Sequence, residues 1–142
     1  MPDFNALLDA DPTQFERPPL VPEGDFLSLI KGRKFDKSAQ KKTPYVRFDF
    51  QLIAPMESVS QEALDGIDLA KAKPHDDFYL TEDAMFRLRE LFELVDAVMP
   101  STRESIDACV GKQVILTFGH SPSQRDPNRM YAEIRGYARA EV

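Results

Sequence analysis

The stretch "PYVRFDFQLI", residues 44–53, restricts the possible folds of this chain more than any other segment. Its apolar residues fall at alternate positions, which is typical of a β-strand with one buried face, because successive side chains in a strand point to opposite sides. We therefore predict a strand here. The side chains expected to face the core are Val46, Phe48, Phe50 and Leu52. Those expected to face outward are Tyr45, Arg47, Asp49 and Gln51.

The remaining patterns predict four more strands and one main helix. The strands are expected at 25–32, 78–80, 113–119 and 130–139. Thr81 is expected to cap the helix and Pro100 to end it. The order strand, strand, strand, helix, strand, strand is that of an OB-fold, a mainly β, five-stranded barrel with one α-helix between strands 3 and 4. The helix should bury a stripe formed by Ala84, Leu88, Leu91, Phe92, Val95 and Val98.

The chain has 142 residues, the size of one domain. Residues 1–23 contain four prolines after position 10, Pro12, Pro18, Pro19 and Pro22. They predict an N-terminal arm, packed on its own domain or docked on a neighbouring subunit. Such docking would make a homo-oligomer. The OB-fold nucleic-acid-binding domain is expected over 24–142, with an acidic excursion at 54–77 between strands 2 and 3.

Charge is distributed unevenly along the chain. The net charge is -6, yet residues 31–47 hold seven Lys or Arg against one Asp. Residues 48–110 hold fourteen acids against five bases. A local concentration of positive charge in an acidic protein indicates a surface for a polyanion.

The expected ligand loops of an OB-fold join strands 1 to 2 and 4 to 5. Here they are 33–43 and 120–129, and both carry positive charge. Proteins that bind single-stranded nucleic acid combine a basic groove with aromatic side chains on which bases stack. The predicted phosphate and base contacts are Lys31, Arg33, Lys34, Phe35, Lys37, Lys41, Lys42, Tyr45, Arg47, Arg125, Arg129, Tyr131, Arg135 and Tyr137.

The last predicted strand contributes three of those residues through its alternation. Met130, Ala132, Ile134 and Ala138 are expected to face inward. The outward set is Tyr131, Glu133, Arg135, Tyr137 and Arg139.

Other chemistries have little support in the sequence. His75, Asp76 and Asp77 lack the further His and Cys ligands that zinc usually requires, so no metal site is predicted. No phosphate-binding glycine loop or nucleophile elbow occurs, and we predict neither an enzyme nor a cofactor. Cys109, the single cysteine, is expected to be a small buried residue in a reducing, cytoplasmic setting. No apolar run approaches the roughly 20 residues of a membrane helix.

Several segments together carry a family resemblance: "VPEGDFLSLIKG", "KKTPYVRFDFQL", "FYLTEDAMFRLRELFE", "VGKQVILTFGH" and "RMYAEIRGY". Over residues 20–138 the chain resembles the phage-encoded OB-fold single-stranded DNA-binding proteins. The resemblance implies sequence-tolerant binding of single-stranded DNA in phage replication or recombination, in the cytoplasm of an infected bacterium. The long excursion at 54–77 departs from that family. So does the ending "ARAEV", which lacks the acidic tail that recruits replication partners.

Two alternatives remain open at the level of sequence. The barrel could be a structural module of a virion or protein complex, whose basic loop docks on the acidic 54–77 segment of a neighbour. RNA binding shares the physics of DNA binding and is the third hypothesis.

Overall fold

The computed structural model describes residues 8–9, 20–123 and 128–140. Five antiparallel strands form one open sheet in the order β3-β2-β1-β4-β5. Their bounds are β1 Gly24–Lys37, β2 Pro44–Pro55, β3 His75–Tyr79, β4 Gln113–Pro122 and β5 Met130–Arg139. The mainly β class predicted from the sequence is confirmed. The edge strands β3 and β5 do not pair through backbone hydrogen bonds, so the sheet does not close into the predicted barrel.

Strand β2 confirms the alternation from which the sequence analysis began. Its four inward side chains are at most 5% exposed. They form the centre of the core with residues of β1, β4 and the helices, among them Phe26, Ile30, Leu88 and Leu116. Ser28 is also buried, and its hydroxyl donates to the carbonyl of Phe26 at 3.2 Å.

The segment between β3 and β4 contains two short helices rather than the single predicted one. They are α2, Met85–Leu94, and α3, Thr102–Cys109; a third helix, α1, spans Gln61–Leu64 inside the excursion. Helix α2 ends because Asp96 adopts a left-handed conformation, with φ of 57°. The Ala97 amide then donates to the Phe92 carbonyl at 2.8 Å, the closing bond of a Schellman motif.

Three predicted features of that helix are wrong. Pro100 does not end it, because α2 already ends at Leu94. Val98 lies beyond the break and is 63% exposed, so it does not extend the buried stripe. Thr81 does not cap the helix, because α2 starts at Met85 with Ala84 at the cap position. The Ser101 hydroxyl instead caps α3, accepting from the Glu104 amide at 3.1 Å. This is half of a capping box.

The predicted acidic excursion is partly integrated into the fold. Val59 and Ala72 are buried in the core, and a 3-10 turn spans Leu69–Lys71. Strand β3 starts at His75, three residues before the predicted strand. Most of the predicted N-terminal arm lies outside the described residues. At its end Val21 is buried, and its carbonyl accepts from His120 Nε2 at 2.7 Å.

Candidate nucleic-acid interface

Strands β1 and β2 form a hairpin that extends past the rest of the sheet. Pairing of β1 with β4 stops at Leu29, whereas pairing with β2 continues to Lys37 opposite Pro44. The turn at 38–43 is closed by the Ser38 amide, which donates to the Thr43 carbonyl at 2.9 Å. Residues 33–37 are thus strand, and the loop predicted over 33–43 is shorter than expected. The basic segment is held by a regular ladder of hydrogen bonds.

A β-bulge decides which cationic side chains share a face of this hairpin. The register shifts between Ile30 and Gly32, which leaves Lys31 as the extra residue. Beyond the bulge Lys34 lies opposite Arg47, on the outer face of the sheet, because cross-strand partners project to the same side. Arg33 and Phe35 lie opposite the core residues Phe48 and Val46, and therefore on the inner side.

Arg33 and Phe35 are directed toward α3 rather than toward the other predicted contacts. Arg33 Nε donates to Asp107 Oδ1 at 2.8 Å. The Arg33 guanidinium also lies 4.8 Å from the centre of the Phe35 ring. Both side chains reach the surface, but on the side opposite Lys34.

The outer side of β2 and β3 carries an aromatic pair. The rings of Tyr45 and Tyr79 are 5.9 Å apart in an edge-to-face arrangement. Tyr79 is 42% exposed. The Arg47 guanidinium lies 5.7 Å from the centre of the Tyr45 ring. We call the set Lys34, Tyr45, Arg47, Asp77 and Tyr79 the outer aromatic face.

Arg47 is held in place by a two-pronged ion pair with Asp77. Its Nε and Nη2 donate to Oδ1 and Oδ2 of Asp77 at 2.7 and 3.1 Å. The hydrogen bond to Asp77 raises the pKa of Arg47, so its charge is permanent. The guanidinium is fixed as a planar surface beside the tyrosines, but part of its charge is already neutralised.

The lysines around this face have few internal partners. Lys34 lies 3.8 Å from Asp36, and both side chains are more than half exposed. Such an exposed pair contributes little to stability. Across residues 8–9, 20–123 and 128–140, no carboxylate lies within ion-pair distance of Lys31, Lys37, Lys41 or Lys42. These charges are available to an external anion.

The described ends of the second predicted basic loop, 120–123 and 128–129, lie at the other end of the sheet. β4 and β5 pair as far as Pro122 and Met130, beyond the Gly24 end of β1, whereas the 38–43 turn lies beyond the opposite end. Arg125 lies outside the described residues. Arg129 borders β5, and its carbonyl accepts from the Ser123 amide at 2.8 Å. The two basic loops are not adjacent along the sheet.

Arg135 and Tyr131 belong to a local network on β5. Arg135 donates to Glu133 Oε1 at 3.0 Å and to the His120 carbonyl at 2.7 Å. Ser121 and Arg135 hydrogen-bond Glu133 and lower the pKa of its carboxyl. Arg135 lies flat across Gly119, where a Cβ atom would approach its Nε to 2.2 Å. Tyr131 is 46% exposed.

Tyr137 does not face outward, and this prediction is wrong. A register shift leaves Arg135 as an extra residue, because Thr117 pairs with Gly136 and Phe118 with Ile134. The alternation therefore reverses, which turns Tyr137 inward opposite Leu116. The same shift leaves Ala138 exposed, although it was predicted to face inward; Met130, at the strand end, is also exposed.

The inward Tyr137 joins the two unpaired edge strands. Its ring lies 6.2 Å from that of Phe50 and 6.0 Å from that of Phe78. Its hydroxyl donates to Asp76 of β3, and Asp76 also accepts from Arg87 at 3.3 Å. Burial raises the pKa of both Tyr137 and Asp76. We call Asp76, Arg87 and Tyr137 the seam cluster.

The sequence analysis missed Tyr79 and Asp77 as members of the outer aromatic face. A signal was present: if Phe78 faces the core, its neighbours on a strand face outward. The strand predicted at 78–80 contains only three residues and does not include Asp77, so it shows too little alternation to assign these outward positions.

Further findings concern metal ligands, Cys109 and membrane spans. Within the described part of the chain, no three His, Cys, Asp or Glu side chains are grouped to hold a metal. Cys109 is buried as expected, and burial raises its pKa to about 12. None of the described helices is long and apolar enough to cross a membrane.

Comparison with protein-family models and with curated proteins finds no match for this chain.

Proposed function

We propose that the protein binds single-stranded DNA on the outer aromatic face, with little dependence on sequence and without enzymatic activity. The observation that supports this most is the packing of Tyr45 and Tyr79 beside a fixed guanidinium. Every base has an aromatic face that can stack on such a surface, at about 1–3 kcal/mol per base. Lys34 lies on this face, and Lys41 and Lys42 lie in the turn of the same hairpin, where all three can meet a phosphate backbone. Lys37 pairs with Pro44 and therefore lies on the opposite side of the hairpin.

The strand order supports an OB-type arrangement as part of the proposal. The order β3-β2-β1-β4-β5 would give a closed five-stranded barrel if β3 were joined to β5. The seam cluster links these two strands through side chains. In an OB-fold the ligand lies across strands 2 and 3, which here carry Tyr45, Arg47 and Tyr79.

The biological setting in this proposal rests on the resemblance to phage proteins. The protein would coat single strands during phage replication or recombination, in the cytoplasm of an infected bacterium. Tyr131 and Arg129 lie beyond the opposite end of β1, so we place them outside the primary contact surface. RNA shares phosphates and bases with DNA, and a competing oligo-U distinguishes the two.

A fluorescence-anisotropy titration with labelled oligo-dT at several salt concentrations tests the proposal. Each neutralised phosphate contributes about -0.7 to the slope of log K against log[salt]. Replacing Lys41 and Lys42 by alanine should therefore reduce the slope by about 1.4. The matched control replaces Arg103, on α3, and Lys112, just after α3, by alanine. It removes the same charge and should leave the salt slope unchanged. Absence of binding at low salt, or a salt-independent affinity, would refute the proposal.

A second candidate function is that of an assembly module. It is favoured by an apolar groove between α2 and α3, where Phe86, Val98 and Met99 are 59%, 63% and 49% exposed. The helical residue Leu8 is itself 69% exposed, and in this alternative it would dock in the groove of a second copy. Light scattering of the wild type and of Leu8→Ser, both without DNA, tests this assembly function. A dimer that is lost in the variant supports assembly. A monomeric wild type excludes assembly.

A further inference from the structure

A cleft of about 530 Å³ opens on the outer side of the sheet, next to the outer aromatic face. The β1 bulge at Lys31 and Gly32 forms one wall, and residues 70–74 form the other. The outward side chains of β2, Asp49 and Gln51, lie between these walls. A volume of this size is within the range of small-ligand sites.

The β1 bulge and Gly32 both help to keep this cleft open. Lys31 is the extra residue of the bulge, so its side chain stands at the cleft without a cross-strand partner. No atom lies within 4 Å of the position that a Cβ of Gly32 would occupy. The facing wall approaches β2 through the Phe50 amide, which donates to the Pro74 carbonyl at 3.0 Å.

The polar groups of the cleft have complementary charges and free hydrogen-bonding capacity. Lys31 and Lys73 stand on opposite walls. Within the described ranges, neither lysine pairs with a carboxylate, and neither Asp49 nor Gln51 makes a side-chain hydrogen bond. Asp49 is close enough to Arg47 to help raise the pKa of that residue. The cleft thus offers two cations, a carboxylate and a carboxamide.

The cleft continues the line of the outer aromatic face. Tyr45, Arg47, Asp49 and Gln51 follow one another on the outer side of β2. Tyr45 and Gln51 are six positions apart, which is about 20 Å along a strand. One single strand of several nucleotides can therefore lie on the tyrosines and enter the cleft.

We propose that this cleft holds one nucleotide of the bound strand and prefers a base with an exocyclic amino group to thymine. This inference rests on the proposed function. The lysines would contact the flanking phosphates, and Asp49 would accept from the amino group. A carboxylate accepts hydrogen bonds but cannot donate them, so it pairs with the N4 amine of cytosine. Thymine presents a carbonyl oxygen at the same place and would leave the carboxylate unpaired.

Equilibrium titrations with oligo-dC and oligo-dT of equal length test the inference. Both are pyrimidine strands, so differences in self-stacking are small. We expect the wild type to bind oligo-dC about fivefold or more tightly. Asp49→Asn supplies an amide that donates to the thymine carbonyl, and should abolish the difference. Asp83→Asn, which removes the same charge at an exposed position before α2, should retain it.

The outcomes separate the inference from the function on which it rests. Equal affinity of the wild type for both strands, or a cytosine preference that survives in Asp49→Asn, overturns the inference and leaves DNA binding intact. No binding of either strand refutes the proposed function itself. Replacing Lys31 and Lys73 by alanine should weaken the binding of oligo-dC and of oligo-dT equally. It should also reduce the slope of log K against log[salt] by about 1.4.

Discussion

The outer aromatic face and the seam cluster use the same three residue types in opposite ways. Outside, Tyr45 and Arg47 combine with Asp77; inside, Tyr137 and Arg87 combine with Asp76. The two aspartates are consecutive on β3, and strand alternation sends them to opposite sides of the sheet. The surroundings of each tyrosine then decide what its triplet contributes. Tyr137 is partly buried and joins two strand edges, whereas Tyr79 is 42% exposed and leaves its ring open to solvent.

The difference shows that residue type and spacing do not by themselves identify a binding surface. Tyr137 satisfies its hydroxyl on a buried carboxylate, and its ring packs between Phe50 and Phe78. Tyr79 is 42% exposed, and its ring contacts Tyr45. Substitution should therefore reduce stability at the seam cluster and reduce affinity at the outer aromatic face.

The largest expected effect is on DNA affinity at the outer aromatic face. Tyr79→Ala should weaken oligo-dT binding about 5- to 150-fold, because one stacked base contributes about 1–3 kcal/mol. The thermal stability of Tyr79→Ala should differ little from that of the wild type, because Tyr79 is on a short edge strand. Tyr131→Ala, at a similarly exposed tyrosine beyond the other end of β1, is the matched control. A loss in the control as large as that in Tyr79→Ala would contradict the assignment of the face.

The next largest effect is on stability at the seam cluster. Tyr137→Phe retains the ring but leaves the buried carboxylate of Asp76 without its hydroxyl donor. Hydrogen bonds to charged groups contribute about 1.5–3 kcal/mol, so the free energy of unfolding should fall by about 2 kcal/mol. Urea denaturation measures this free energy of unfolding. The control Tyr45→Phe should change the free energy of unfolding by less than about 0.5 kcal/mol. Equal losses in the two variants would remove the distinction between the two regions.

The smallest effect expected here is a pH dependence that separates the two aspartates. Burial raises the pKa of Asp76 above its usual value of 3.8. The folded state therefore binds more protons than the unfolded state just above about pH 4, and stability falls as pH rises through that window. Tyr137, Arg87 and Asp77 are the groups that act on this carboxyl.

Asp76→Asn removes this titration and keeps an acceptor for the Tyr137 hydroxyl. The stability of the wild type relative to Asp76→Asn should therefore decrease from about pH 4 upward, by at most about 1.4 kcal/mol per pH unit. Denaturation of both proteins at several pH values measures the difference. A difference that stays constant or grows with pH would show that the buried carboxyl does not carry the raised pKa.

The sequence predicted the elements whose local pattern matches their environment. The inward set of β2 and the bounds of β5 agree with the structure, because alternation reports burial on one side of a sheet. The same logic failed beyond Lys31, where β1 is exposed on both faces and contains no apolar alternation. There the pairing with β2, rather than burial, makes residues 33–37 a strand.

The remaining errors come from single residues that shift a pattern. The bulge at Arg135 reverses the faces of β5. The adjacent Gly136 is a signal for such a bulge, because an isolated glycine inside a strand pattern often marks one. The left-handed Asp96 ends α2 early, although Asp is rarer than Gly at such a position. The "STRE" sequence at 101–104 does carry the capping-box signature of the second helix and could have been recognised. The ion pair of Arg47 with Asp77 depends on strand register, which local sequence does not specify.

The most direct test of the account is to map where a bound strand touches the protein. Oligothymidylate carrying 5-iodouracil, cross-linked by light and located by mass spectrometry, reports the aromatic side chains that stack on bases. We expect cross-links at Tyr45 and Tyr79 and none at Tyr137, whose ring packs inward between Phe50 and Phe78. Cross-links confined to Tyr131, or to the apolar groove between α2 and α3, would contradict the central claim that the outer aromatic face of β2 and β3 binds single-stranded DNA.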